Sequence, residues 1–260
     1  MPILDHSALI SKIEEIGVAK ISAPFSRQAA LSILAGAFIG LGGILSVIGG
    51  FGFPSAAGNP ALQKLVSGAL FPVGLFLIVL FGGELFTGNN AVLVPGCCSR
   101  RYGISKVIYH WVVVWCFNFI GAIAFTYLFV YLSGLTASAP YHGAVISVAE
   151  AKCALAPMTA FLKGIAANWC VCLAVWIGLM VKTLPAKMIA CWIPVATFVV
   201  LGYEHSIANM FFIPAGIFEG ADVSIADMFS NLIPVTLGNI VGGALFVGLL
   251  FFSLYGRKKA

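Results

Sequence analysis

Apolar residues in this chain come in long runs and do not alternate with polar ones. Six such runs lie near 29–52, 65–96, 106–132, 155–181, 187–217 and 231–255. Each reaches or exceeds the roughly 20 residues that a helix needs to cross a hydrocarbon core of about 30 Å. Strand-like alternation is absent, so the spanning element is the helix, which satisfies its own backbone in lipid. Ahead of the first run, Leu9, Ile13 and Ile16 recur at helical spacing among Ser11, Lys12, Glu14, Glu15 and Lys20. That pattern predicts an amphipathic helix along the membrane face. The chain therefore reads as an all-α membrane protein with an N-terminal segment (1–28), a six-span domain (29–255) and a short basic tail (256–260).

Composition removes the soluble alternative. The 260 residues are 61% hydrophobic and 9% charged, far from the balance of ordinary soluble domains. The net charge of +5 would suggest an acidic or nucleic-acid partner, but its distribution explains it without one. Lys12, Lys20, Arg27, Arg100, Arg101, Lys106, Lys182, Lys187, Arg257, Lys258 and Lys259, eleven of the fourteen basic residues, fall on one side of the six runs. The other side keeps Lys64 and Lys152 and gathers Glu150, Glu219, Asp222 and Asp227. The positive-inside rule then places both termini in the cytoplasm of a multi-pass protein of the plasma (inner) membrane. Residues 1–28 lack the basic start and apolar core of a cleavable signal peptide. The seven cysteines show no paired spacing, so neither a disulfide framework nor a metal site is expected.

The two halves of the chain repeat one order of signals. Gly82, Glu84 and Asn89 answer Gly202, Glu204 and Asn209, and Asn118-Phe-Ile-Gly121 answers Asn239-Ile-Val-Gly242. A unit of three spans ends on the side opposite its start, so two consecutive copies lie in opposite orientations, a 3+3 inverted repeat. Such folds commonly place a permeation site near the midplane, where two interrupted helices meet. Residues 82–90, with three glycines, Thr87, Asn89 and Asn90, suit unwound backbone in span two, and Gly202 to Asn209 marks span five.

Glu84, Lys163, Glu204 and His205 all fall within spans, where an ionisable side chain costs about 2.5 to 3.5 kcal/mol on insertion scales. Glu84 and Glu204 are expected to accept hydrogen bonds from amides freed at the breaks, with proton relay as the rival role. His205 is the candidate for pore chemistry, since imidazole titrates near pH 6.5, against the alternative of a neutral core histidine. Asn168 and Lys163 lie about 140° apart on one helix, which points Asn168 to the pore and Lys163 to an interface or the outer boundary. Phe71 with Leu75, and Phe198 with Gly202, are i, i+4 pairs that pattern alone reads as packing. No Ser/His/Asp set, metal-ligand cluster or phosphate-cradling loop stands out, so neither enzyme chemistry nor a cofactor is expected. The paired Asn-Pro-Ala signature of an aquaporin is missing, and a mere scaffold would not gather its polar residues at two breaks.

At Glu-Leu-Phe-Thr-Gly-Asn (84–89), Asn-Trp-Cys-Val-Cys-Leu-Ala-Val-Trp (168–176), Gly-Tyr-Glu-His-Ser-Ile-Ala-Asn-Met (202–210) and Ile-Pro-Val-Thr-Leu-Gly-Asn-Ile-Val-Gly-Gly (233–243), the chain resembles the formate/nitrite transporter family. The resemblance runs nearly end to end. It implies an aquaporin-like protomer in a homopentamer, with one pore per protomer and none along the fivefold axis. It also implies that Thr87, His205 and Asn168 meet in the pore, and that Phe71, Leu75, Phe86, Val171 and Phe198 line two apolar constrictions. Glu84, Glu204, Asn89 and Asn209 would support the helix breaks. Lys152 would gather anions at the outer vestibule, and the anion would cross as its neutral acid. Substrates implied are formate, nitrite, hydrosulfide and short monocarboxylates such as lactate. Residues 145–152, 156–157 and 163–164 look more like nitrite channels, while 210–214 and Ile233 to Thr236 look more like formate channels. Formate is the first expectation and nitrite the second.

Overall fold

The computed structural model describes residues 3–52 and 59–256, and among these it contains helices and no strand. The expected basic tail at Arg257, Lys258 and Lys259 lies outside the described residues. In chain order the helices are α1 (His6–Ile21), α2 (Phe25–Phe51), α3 (Pro60–Leu70), α4 (Val73–Phe81), α5 (Phe86–Cys98) and α6 (Ile104–Phe125). They continue as α7 (Tyr141–Cys153), α8 (Pro157–Met180), α9 (Leu184–Val200), α10 (Ser206–Phe218), α11 (Ile225–Ile240) and α12 (Leu250–Tyr255). Helix α6 runs on into a π-wound stretch, Thr126–Tyr131, and α11 joins α12 through another, Val241–Leu249.

Five stretches are long and apolar enough to cross a bilayer: Phe25–Phe51, Pro60–Phe81, Ile104–Tyr131, Pro157–Met180 and Ile225–Tyr255. The second is α3 and α4, joined at Phe71-Pro72, where proline removes a backbone donor and bends the axis. Helices α5, α9 and α10 are shorter. Large apolar side chains cover much of the surface, and uncharged polar side chains are buried within an otherwise apolar core. Ile108, Val112, Phe129, Leu162, Ile193 and Leu237 are exposed, while Ser32, Asn90, Asn118, Asn168 and Asn239 are fully buried. An outer surface of that kind is stable only against lipid, and the chain is an integral membrane protein.

Helix α1 starts at Asp5, whose side chain accepts from the Ala8 N–H at 2.8 Å, and that bond holds its carboxyl below the usual carboxylate range. Its apolar face, Leu9, Ile10 and Ile13, packs on Ala91, Val92, Trp176 and Val247. The amphipathic stripe is thus covered by the protein's own helices. Residues 141–153, outside the six apolar runs, form α7, which packs on α10 much as α1 packs on α5.

Helix α2 lies along α6 and α8 along α11, and both pairs approach closely through glycine. A Cβ at Gly121 would lie 2.0 Å from the Ile33 carbonyl oxygen, and one at Gly242 would lie 2.2 Å from that of Ile165. Small residues at such crossings let backbones come into contact in lipid. Gly242→Val should therefore lower stability by about 1 to 3 kcal/mol through overpacking. Gly143→Ala, where nothing lies within 4 Å, should leave the midpoint of thermal unfolding in detergent nearly unchanged.

Candidate functional site

Helix α4 stops at Gly82, whose φ of 72° suits a residue without Cβ, and α9 is followed by Gly202 at φ 69°. The Gly83 N–H donates to Ile78 O at 2.9 Å and the Tyr203 N–H to Phe198 O at 3.0 Å, the same bond in both places. Three non-helical residues follow each turn, Gly83-Glu84-Leu85 and Tyr203-Glu204-His205, before α5 and α10 begin, and the last of each three is extended. The non-helical backbone is thus shorter than the glycine-rich sequence 82–90 suggests, since Phe86 onward is helical.

One asparagine satisfies each gap. Asn118 Oδ1 accepts from the Phe86 N–H at 2.9 Å, while its Nδ2 donates to Glu84 O at 2.8 Å and Ser32 O at 2.7 Å. Asn239 Oδ1 accepts from the Ser206 N–H at 2.8 Å, and its Nδ2 donates to Glu204 O at 3.0 Å and Gly164 O at 2.8 Å. The expectation that Glu84 and Glu204 would take up freed amides is corrected here, because a carboxamide can accept from the N–H and donate to the C=O of the same gap. A carboxylate can only accept.

The carboxylates turn to cations instead. Lys20 Nζ lies 2.7 Å from Glu84 Oε2, and Lys152 Nζ lies 3.1 and 3.0 Å from the two oxygens of Glu204. Asn89 and Asn209 each donate to their glutamate at 2.7 Å. Asn89 Nδ2 also donates to His110 Nε2 at 3.1 Å, which leaves the proton of a neutral ring on Nδ1, 3.2 Å from Gln28 Oε1. Asn209 Nδ2 donates to Asn231 Oδ1 at 2.7 Å, and Asn231 Nδ2 donates to Lys152 O at 2.8 Å. Sequence reasoning passed over Lys20, His110 and Asn231. A signal existed for the last two: each stands eight residues before the asparagine of an Asn-x-x-Gly.

At the centre, His205 caps α10 and is buried, at 2% exposure. Its Nδ1 accepts from the Ala208 N–H at 3.1 Å, so the neutral ring carries its proton on Nε2 and donates it to Thr87 Oγ1 at 2.9 Å. The ring stacks on Phe198 with centroids 5.8 Å apart. Asn168 makes no hydrogen bond to the histidine. Its Nδ2 donates to the carbonyls of Thr87 and Asn239, at 3.1 and 2.6 Å, and lies 3.1 Å from Asn90 Oδ1.

Two cavities lie toward opposite ends of the α3–α4 pair. One of about 290 Å³ is lined by Phe71, Lys152, Phe198, Glu204, His205 and Asn209, among others. The other, about 160 Å³, has Lys20, Leu75, Gly82, Leu85, Asn89 and Val175 in its wall. Phe71 meets Phe198 edge-on at 5.8 Å. Phe86 packs edge-on against Trp111 at 6.5 Å, and neither it nor Val171 lines either cavity. Lys163 contributes its carbonyl oxygen, which accepts from the Glu204 N–H at 3.3 Å. Among the described residues no three His, Cys, Asp or Glu side chains are grouped to hold a metal ion.

The ion pairs are 16% and 6% exposed at Lys152 and Glu204, and removing one partner from such a pair strands the other. Lys152→Met should cost about 3 to 5 kcal/mol, and the double change Lys152→Met with Glu204→Gln should cost distinctly less. A double-mutant cycle on unfolding in detergent measures the coupling, and additive effects would mean that the pair contributes nothing as a pair.

Comparison with known proteins agrees with this geometry. The sequence profile described as "Formate/nitrite transporter" matches residues 7–253. A "Probable formate transporter" of Methanothermobacter thermautotrophicus is 40% identical, covering 98% of this chain and 97% of its own length. Among solved structures, an "FNT family ion channel" superposes with a TM-score of 0.88 at 30% identity, covering 95% of this chain and 98% of that one. A "Pentameric formate channel with formate bound" superposes with a TM-score of 0.80 at 30% identity, covering 90% of this chain and 98% of that one. A profile match over residues 7–253 and a relative 40% identical across 98% of the chain leave one assignment: the protein belongs to the formate/nitrite transporter family.

Proposed function

We propose that this chain is a channel for small monovalent weak-acid anions, with formate as its substrate, and not an enzyme. The observation that carries the reading is the Nε2–H of His205, held on the buried Thr87 where the ring meets a cavity that Phe71 and Phe198 also line. In this reading α3 to α5 form one interrupted span and α9 with α10 another. The six spans make a 3+3 inverted repeat, with both termini in the cytoplasm of the plasma membrane. Segment 1–28 belongs to the cytoplasmic face, and the membrane domain covers 29–255. The assembly is a homopentamer with a pore in each protomer, a reading supported by the pentameric relative. Formate is supported by what that structure and the archaeal relative are called.

The mechanism follows from solvation. A bare anion entering the slit of Phe71, Phe198 and Leu75 would lose its water with no charge to replace it, whereas the neutral acid has far less to lose. Protonation at the cavity floor removes the difficulty. A neutral imidazole that gave up its only proton outright would be left as an anion. Its other nitrogen is already committed to the Ala208 N–H. The ring therefore donates a hydrogen bond to the arriving oxygen in place of Thr87, and the proton is delivered by cavity water. Asn168 keeps the Thr87 backbone in place through its carbonyl.

The test is flux into liposomes reconstituted with the pure protein, for formate and nitrite side by side from pH 5 to 8. Formate flux should exceed nitrite flux and rise as the pH falls, because the neutral fraction grows. His205→Phe should lower formate flux at least tenfold while leaving the assembly intact. Transport of hydrosulfide or lactate with formate excluded would overturn the substrate, and wild-type flux in the mutant would overturn the role of His205.

A further inference from the structure

A third cavity, about 700 Å³, opens away from both mouths, between α1, the end of α5 and α12. Arg100, Arg101, Ser99 and Ser11 line it together with Glu14 and Phe252. It belongs to the side that carries the basic connections.

The backbone beneath it is unusual. Helix α5 ends with the Arg101 N–H on Gly96 O at 2.8 Å and the Arg100 N–H on Cys97 O at 3.0 Å. Helix α10 ends with the same pair of bonds, Ala221 N–H to Gly216 O at 2.8 Å and Gly220 N–H to Ile217 O at 3.2 Å. This helix-ending turn needs one residue in the left-handed region, and the α10 copy supplies glycine there, Gly220 at φ 93°. The α5 copy supplies Arg100, the one non-glycine residue with positive φ among those described, at 58°. An arginine thus stands where its own backbone is strained and where the other helix shows the unstrained choice.

Glu14 answers part of the positive charge. It accepts from the Ser99 hydroxyl and lies 3.7 Å from Arg101 Nε. Arg100 has no carboxylate within ion-pair distance among the described residues. Helix α6 begins directly afterwards with Ile104, Ile108, Tyr109 and Val112 exposed. The arginines therefore stand at the edge of the lipid-facing band, at the level of headgroups.

We propose that this cavity binds the phosphate of an anionic phospholipid from the adjoining leaflet. Arg100 supplies the unpaired guanidinium, whose fork matches phosphate oxygens. Phe252 provides the apolar wall against which the glycerol end of the lipid lies.

The test uses the full-length protein in micelles of a neutral detergent, doped with phosphatidylglycerol, with phosphatidylcholine or with inorganic phosphate at matched ionic strength. Phosphatidylglycerol should raise the wild-type unfolding temperature by several degrees and phosphatidylcholine should not. Arg100→Gly should start higher than wild type in neutral micelles, because the turn is relaxed, and should lose most of the rise. Arg100→Asn, which tolerates the same backbone, should lose the rise as well and serves if the glycine variant is not recovered. Lys106→Gln, a charge removed on the same side outside the cavity, should respond like wild type. An equal rise with inorganic phosphate would uphold the phosphate site and move its source to a soluble anion. No rise in wild type, or an undiminished rise in both Arg100 variants, would overturn the proposal. Because flux is not the readout, such a failure would leave the channel reading standing.

Discussion

Two short lengths of non-helical backbone inside a membrane protein set the terms for everything around them. Water cannot satisfy them there, and each buried amide left unpaired costs about 1 to 3 kcal/mol or more. Asn118 and Asn239 meet the requirement by bonding both ends of their gaps and reaching across to α2 and α8. They fix at once where the helices stop, how close α6 and α11 come to their neighbours, and why glycine lies one turn further on at 121 and 242. The gap residues then project into the interior with no freedom to turn away, which is how His205 comes to face Thr87.

The charged pairs form the second tier of the same scaffold. Lys20 with Glu84, and Lys152 with Glu204, each set a cation from a peripheral helix against a carboxylate at a gap. Helix α1 is therefore a structural counterpart of α7 and not an appendage. One cavity wall thus carries both Lys152 and Glu204 and the other carries Lys20, and in each pair the lysine is more exposed than its carboxylate.

Much of this was legible in the sequence, because the determinants were local or duplicated. The Gly-x-Glu spacings located both gaps, and the Asn-x-x-Gly spacings picked out the two asparagines that close them. The ion pairs were not legible, since Lys20 and Glu84 are far apart along the chain and a lysine in an amphipathic stretch looks like solvated charge. Helix α7 lay in a segment too polar to register as a span. The division of labour between carboxylate and carboxamide at the gaps depended on hydrogen-bond capacity, and composition does not reveal which group faces which amide. Phe86 and Val171, read as lining a constriction, share the buried apolar cluster of Phe71, Leu75 and Phe198 but stand in the wall of neither cavity.

When the two halves are superposed through their shared contacts, the framework positions coincide and the central ones do not. His205 corresponds to Leu85, Thr87 to Ile207, Asn90 to Met210 and Asn168 to Gly36. The gap-closing asparagines and the glutamates beside them are identical in both halves, while each of these four pairs sets a polar member against an apolar or minimal one. The centre is thus where the two halves differ most. Substitutions at those pairs would leave in place the side-chain bonds of Asn118 and Asn239 that close either gap.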